Sequence, residues 1–327
     1  MTEPLQDTSA LGRLTKVLFE RRAVGSRPGA RTDPHHVALA IEGGGMRGTV
    51  SAGMALAVHE LGLLDAFDAV YGASAGAIST AWLVSSRPEG LRGWVDPRFA
   101  RALIRKRNLL RGRPMVDVET LIEEVYISQF PLDYSSVLAS RIELHPLATD
   151  LETGQSVDLH SELTDESTLR MALRASAALP VLAGRPVTVG NRRFYDAGLS
   201  ESIPYRRALS DGATHVLVLR SRSLAPDTPV VPATPSLGSW LIAAVAFRRN
   251  AQLRETFLTR PGRLADDDRL LTSYGDGSAS PGGPAVVSIR PAVTTPSISR
   301  LETDGGLLQE ALQSGYVAAG DALVGLR

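Results

Sequence analysis

An α/β fold on a largely parallel sheet is predicted by three observations. Val37 to Ile41 and Ala69 to Tyr71 are short apolar runs without alternation, as expected of strands buried on both faces. Each runs into a glycine-containing turn. Each turn is followed by a segment of helical pattern, Val50 to Leu61 closed by Gly62 and Ala75 to Ser85. The repeated order of strand, turn and helix is the α/β signature.

In chain order, residues 1 to 35 are polar and Arg-rich and end in Gly25-Ser-Arg-Pro-Gly29, which reads as a short helix or loose lead-in. The ordered domain is expected over 36 to 327. Beyond the first two strand-helix pairs, Arg98 to Asn108 and Val116 to Val125 have helical spacing, and Ile142 to Ala148 and Ser156 to Leu159 read as paired strands. Leu169 to Leu179 is helical, stopped by Pro180. Val187 to Tyr195 alternates around Gly190-Asn191 and so predicts a β-hairpin that delivers Asp196 at its end. Val216 to Leu219 and Val286 to Ile289 are further strands, and Gly306 to Leu326 a last helix. A Pro-rich stretch at 225 to 235 and a Gly/Ser/Pro stretch at 275 to 284 read as joints.

Apolar residues make up 43% of the 327 and charged residues 21%, so the chain can bury a full core. The formal charge is zero, which leaves no long-range field to attract nucleic acid, and none is expected as a partner. The absence of cysteine excludes disulfides, thiolate zinc sites and a cysteine nucleophile. The six histidines show no metal-ligand spacing, so neither a metal nor a cofactor is expected. The N-terminus lacks the pattern of a secretory signal, and the longest apolar run, Trp240 to Phe247, is too short to cross a bilayer. A cytoplasmic protein, at most peripheral to the membrane, is the expectation.

Gly72-Ala73-Ser74-Ala75-Gly76 fits the nucleophile elbow G-x-S-x-G between a strand and a helix. Small neighbours are needed there because the serine occupies a sharp, crowded turn. Alone, the motif reads equally as a helix start capped by serine. Glu42-Gly43-Gly44-Gly45-Met46-Arg47-Gly48 is the second feature: three glycines let successive N–H groups converge at a positive helix end, where an anion can be held. It also satisfies G-x-G-x-x-G, but a dinucleotide site wants an acidic residue at the end of the next strand. Asp65 and Asp68 precede that strand, and its end carries Ser74. Third, Tyr195-Asp196-Ala197-Gly198 puts a carboxylate after a hairpin strand, where it could take the proton of Ser74 in place of a histidine. Asp-x-Gly alone is common turn chemistry.

Taken in order, Gly-Gly-Gly-x-Arg-Gly, then Gly-x-Ser-x-Gly, then a late Asp-x-Gly closely resemble the patatin-like phospholipases. The block Arg174-Ala-Ser-Ala-Ala-Leu-Pro180 ahead of the hairpin is similar to that family's approach to its aspartate. The resemblance runs from Val37 to Pro204 and is looser over 205 to 327. It implies a three-layer α/β/α sandwich and a Ser-Asp dyad that hydrolyses lipid acyl esters. Ser74 would be the nucleophile and Asp196 the base; the amides of Gly43, Gly44 and Gly45 would hold the oxyanion. Gly48, Gly72, Gly76 and Gly198 complete the motifs, and Arg47 would brace the loop or meet a lipid phosphate. Ala197 departs from the family's more frequent glycine. An acyltransferase on the same dyad, a non-catalytic lipid-binding protein and a dinucleotide-binding protein are the competing readings.

Two stretches bear on substrate access. Arg98 to Arg113 carries seven cations and no anion, interleaved with Phe99, Leu103, Ile104, Leu109 and Leu110, so it reads as a basic amphipathic surface for anionic lipid or as a solvated helix. Trp240 to Phe247 reads as core rather than acyl pocket. No partner is visible for His59, His145, His160 or His215, and a structural role is expected of each.

Overall fold

Strands without alternation must bury both faces, and the layers follow from where those faces go. The computed structural model describes residues 9–105, 108, 114–180, 182–223, 234–276, 278–279 and 282–324. Eight strands form one sheet: β1 (Val37–Ile41), β2 (Ala69–Ala73), β3 (Glu143–Asp150), β4 (Ser156–Asp158), β5 (Val187–Val189), β6 (Arg192–Asp196), β7 (His215–Leu219) and β8 (Ala285–Ile289). Their order is β5-β6-β3-β2-β1-β7-β8, with β4 also paired to β3. From β3 through β2, β1 and β7 to β8 the pairing is parallel, while β4, β5 and β6 pair antiparallel.

The helices are α1 (Ala10–Ala23), α2 (Gly48–Glu60), α3 (Ala75–Val84), α4 (Pro97–Leu103), α5 (Val118–Thr120, continuing as a π-helical stretch Leu121–Gln129), α6 (Tyr134–Leu138), α7 (Glu166–Ser176), α8 (Tyr205–Ser210), α9 (Leu237–Ala246), α10 (Ala251–Gly275) and α11 (Gly305–Val324). In β1, Val37, Leu39 and Ile41 point into a large core shared with α1, α2, α3, α7 and α11. Ala38 and Ala40 point the other way, into a core closed by Tyr205 and Ala208 of α8 and by Leu264 and Leu271 of α10. The period of two thus builds helices, sheet and helices, the three-layer sandwich expected. The C-terminal helix is integral to it. At the crossing of α2 and α11, a Cβ at Gly315 would lie 1.9 Å from the Val50 carbonyl and one at Gly53 2.0 Å from that of Leu312.

Three expectations change. Of the two readings of the N-terminal stretch residues 10–23 take the helical one, and they join the domain rather than precede it: Leu14 and Leu18 are fully buried in the main core. The helix expected over Arg98 to Asn108 stops at Leu103, where Ile104 forms a bridge with Val116. The long α10, interrupted in sequence by Pro261, was not anticipated. Most of the Pro-rich stretch at 225 to 235 and part of the 275 to 284 stretch lie outside the described residues.

Candidate active site

Ser74 stands one residue past β2 and heads α3. It is the only non-glycine residue with positive φ among the described residues, at φ 55° and ψ −122°. Such a conformation costs on the order of 1–3 kcal/mol and persists where the surroundings enforce it. They do so here. A Cβ at Gly76 would meet the Ile41 carbonyl at 2.2 Å, one at Gly72 would meet Ala77 Cα at 2.4 Å, and one at Gly48 would meet Ala75 Cβ at 2.8 Å. The Ser74 N–H donates to Ser176 Oγ at 2.9 Å, so α7 clamps the turn.

Register brings the aspartate to the serine. Ala73 of β2 pairs with Leu147 of β3, and the next residue of β3, Ala148, pairs with Asp196 of β6. The Ser74 hydroxyl donates to Asp196 Oδ2 at 2.6 Å, and both residues are buried. Asp196 Oδ1 accepts the Gly198 N–H at 2.8 Å, and a Cβ at Gly198 would press on that oxygen at 2.7 Å. The Asp196 N–H donates to the Ala178 carbonyl at 3.0 Å, and its carbonyl accepts the Thr149 hydroxyl at 2.8 Å. Burial raises the Asp196 pKa; the Ser74 and Gly198 hydrogen bonds oppose it, as do the charges of Arg300 and Arg260. The methyl of Ala197, the departure from the family pattern, packs against Ala73 and Leu147.

The glycine loop lies beside this pair. The Gly43 N–H is already committed to the Ser202 carbonyl at 3.1 Å, which narrows the expected oxyanion donors to Gly44 and Gly45. Neither of those amides has an acceptor among the described residues, and both lie at the start of the turn Gly45–Arg47 that leads into α2, where backbone N–H groups are left over. Gly45 has φ 60°, and a Cβ there would strike the Arg300 carbonyl at 2.7 Å.

Ser74, Asp196 and the loop share a narrow recess of about 20 Å³ with Glu42, Leu179, Gly198, Ser202, Arg222, Arg260 and Arg300. That is room for a water-sized group. Glu42, fully buried, accepts Arg220 Nε at 2.9 Å and the Ser221 N–H at 2.8 Å. Burial pushes its pKa up, but the charges of Arg220, Arg222 and Arg47 outweigh this and take it to about 2. Arg47 is held at about 9 by burial and by Arg222, and Arg260 at about 9 by burial, Arg300 and Arg222.

Several expected features lie elsewhere. Of Arg98 to Arg113, residues 106, 107 and 109–113 lie outside the described residues. In the described part Phe99, Leu103 and Ile104 face the core, Arg98 pairs with Asp96 and Arg105 with Asp117, and the cations are on the outside, as in the solvated-helix alternative. The expectation for Trp240 to Phe247 also fails: only Ala243 and Phe247 are buried, and Leu237, Trp240, Leu241, Ile242 and Val245 are exposed. Apolarity licenses burial without compelling it.

His145, without a visible partner in sequence, has Nδ1 2.7 Å from Asp158 and stacks on Tyr71 and His160. With Glu143 and His160, or with Asp158 and Asp211, it makes a group of ligand type. Arg207 lies 3.6 Å from Asp158 and 2.8 Å from Asp211, so the second group holds its own cation. Asp68, which a dinucleotide site would need free, is taken up by Arg21, Arg31 and the Val37 N–H.

Ser176, Thr149, Ser202, Arg222, Arg260 and Arg300 were not singled out in sequence. Only Ser176 carried a signal, as part of the block before Pro180.

Comparison with known proteins places the chain in a family. The family model described as patatin-like phospholipase matches residues 39–209. The uncharacterized protein YjjU of Escherichia coli (strain K12) is 28% identical over 200 residues, covering 58% of this chain and 52% of that protein. The uncharacterized NTE family protein Mb1092c of Mycobacterium bovis is 29% identical over 178 residues, covering 51% and 44%. The chain thus spans about half the length of these relatives. Among solved structures, VipD from Legionella pneumophila aligns with a TM-score of 0.43 at 15% identity, over 89% of this chain and 67% of that one. With more than half of its length matched by the family model, the chain belongs to the patatin-like phospholipase family.

Proposed function

We propose that the protein is a serine acyl-ester hydrolase acting on lipid esters. The observation that carries this reading is the 2.6 Å hydrogen bond from the strained Ser74 to the buried Asp196 carboxylate. Ser74 Oγ attacks the ester carbonyl carbon as its proton passes to Asp196 Oδ2, and the carbonyl oxygen becomes an oxyanion held by the Gly44 and Gly45 amides. Collapse breaks the ester bond, and the leaving alkoxide takes the proton from Asp196. Water, deprotonated by the same carboxylate, then releases the fatty acid and restores Ser74. No histidine and no metal has a place in these steps.

The lipid surface is met by α9. Its exposed side carries Leu237, Trp240, Leu241, Ile242 and Val245, followed directly by the exposed Arg248 and Arg249. On its buried side Ala243, with Phe247 just past its end, packs with Tyr195 and Leu199, one residue before and three residues after Asp196. An apolar face edged by cations suits an anionic bilayer surface. No helix among the described residues is long and apolar enough to cross a membrane.

The test is release of fatty acid from p-nitrophenyl esters of graded chain length and from phospholipids. Ser74→Ala and Asp196→Asn should each lower kcat by a factor of about a thousand or more, and the double variant should be little worse, because dyad members act as a unit. Substantial turnover by Ser74→Ala refutes the assignment. Acyl transfer to an alcohol without net release of fatty acid would instead make the same dyad that of a transferase.

A further inference from the structure

The family match ends at residue 209, yet three of the side chains that crowd Ser74 come from beyond it. Arg222 follows β7, Arg260 sits on α10, and Arg300 lies between β8 and α11. Arg47 of the glycine loop lies behind the recess, close enough for the charges of Arg222 and Arg300 to act on it and for its own to act on Arg260. The Arg300 backbone is docked there, its carbonyl accepting the Met46 N–H at 3.1 Å. Arg260 Nε donates to the Gly198 carbonyl.

The cluster has an excess of positive charge. Among the described residues neither Arg47, Arg260 nor Arg300 enters an ion pair, and Arg222 reaches only Glu42, at 4.0 Å. Glu42 is committed to Arg220 at 2.9 Å, and Asp268 is shared by Arg220 and Arg290 at 2.7 Å each. Asp196 is the remaining carboxylate in the recess. Arg47 Nε, Arg47 Nη2 and Arg222 Nε are buried and make no hydrogen bond. Unpaired buried donors are costly, and four cations brought together repel one another. An anion seated among them relieves both.

Guanidinium groups match the planar oxygen pairs of phosphate. Four of them arriving from separate segments suit a tetrahedral dianion rather than a single carboxylate. Among the described residues the recess has no aromatic ring to receive a quaternary ammonium, and its cations repel one. We propose that Arg47, Arg222, Arg260 and Arg300 form an anion subsite beside Ser74, and that the preferred substrate is an acyl ester whose head group ends in a phosphate monoester and bears net negative charge. The substrate half rests on the hydrolase reading above; the subsite itself does not.

Two measurements separate them. In the first, kcat/KM is compared for a monoacylglycerol phosphate and its choline-headed analogue with the same acyl chain. Wild type should favour the phosphate-ended ester. The ratio should fall by about ten- to a hundredfold in Arg300→Gln and in Arg222→Gln, the scale of a lost hydrogen bond to a charged group, with part recovered in Arg300→Lys. In the second, inorganic phosphate should raise the Tm of wild type and of Ser74→Ala, and fail to do so in Arg222→Gln/Arg300→Gln. Since only burial and neighbouring charges, and no hydrogen bond, act on the Arg300 guanidinium among the described residues, Arg300→Gln alone decides the matter if the Arg222 variants do not fold.

A head-group ratio unchanged by these substitutions overturns the substrate class. Arginine-dependent stabilisation by phosphate without head-group preference would show a site for free anion and overturn the same half. If wild type hydrolyses no ester, the hydrolase reading fails, while the Tm measurement still decides the subsite. Absence of any phosphate effect on Tm overturns the subsite itself.

Discussion

Asp196 can take a proton only while ionised, and its burial works against ionisation. Its pKa therefore stands above the ordinary aspartate value of 3.8, with Ser74, the Gly198 amide, Arg300 and Arg260 holding it down. Activity needs the charged form, so kcat/KM should fall as pH drops through a value above 3.8, and Arg300→Gln, which removes an opposing cation, should move that limb upward. A limb at or below 3.8 would assign the base to another group. Stability runs the other way. A carboxyl with a raised folded-state pKa stabilises the fold below its unfolded value and loses that contribution as pH rises. Asp196→Asn should thus be inactive near neutral pH yet melt no lower than wild type. The proximity of Ser74 and Asp196 could be anticipated because one follows a strand and the other ends one, each inside a local motif. The clamp from Ser176, 102 positions from Ser74, could not, nor could Arg222, Arg260 and Arg300, for no local pattern records which distant loops a sheet gathers at one end.

At the scale of elements, α9 shows what pattern alone leaves open. Its ten residues are strongly apolar, and the sequence reading assigned such a run to the core, but only one side of it has a core to join. The other side faces outward beside Arg248 and Arg249. If it rests on lipid, Trp240→Ser/Leu241→Ser should reduce binding to anionic vesicles and turnover of vesicle-borne lipid by about tenfold or more, two buried apolar side chains contributing on the order of 1.5–3 kcal/mol each. Turnover of a soluble short-chain ester should change much less, since Phe247 still packs on Tyr195. Equal losses on both substrates would mean that the exposed face supports the Asp196 segment rather than a membrane. The hairpin β5-β6 is the opposite case: alternation around Gly190-Asn191 forecast its turn and the delivery of Asp196, because turn chemistry and period are both local.

The whole molecule is closed by its first helix, whose place in the core the sequence did not show. The N-terminal stretch is polar enough to read as a lead-in, yet Arg21 of α1 is buried and ties the chain together. It donates to Asp33 at 2.7 Å, Asp68 at 2.8 Å, the Ala66 carbonyl at 2.7 Å and the His35 carbonyl at 2.6 Å. Asp68 also accepts Arg31 at 2.6 Å and the Val37 N–H at 2.8 Å, so one network joins α1, the start of β1 and the approach to β2. The Arg21 hydrogen bond lowers the Asp33 pKa to about 2. Asp68 is also lowered: burial pushes it up, but the Val37, Arg21 and Arg31 hydrogen bonds more than offset that. Carboxylates with depressed folded-state values stabilise the fold above the unfolded value of 3.8 and lose that contribution as pH falls, for Asp33 through about 2. Arg21→Met keeps the apolar stem and removes the charge, leaving the half-buried Asp33 and Asp68 without its hydrogen bonds. It should cost about 1.5–3 kcal/mol at pH 7, the scale of a lost hydrogen bond to a charged group. Denaturant unfolding across pH should show the gap between wild type and variant closing between about pH 4 and pH 2, as the aspartates protonate in both. A gap that keeps its size down to pH 2 would mean that Arg21 holds α1 by packing and carbonyl hydrogen bonds, and that the ion pairs contribute little.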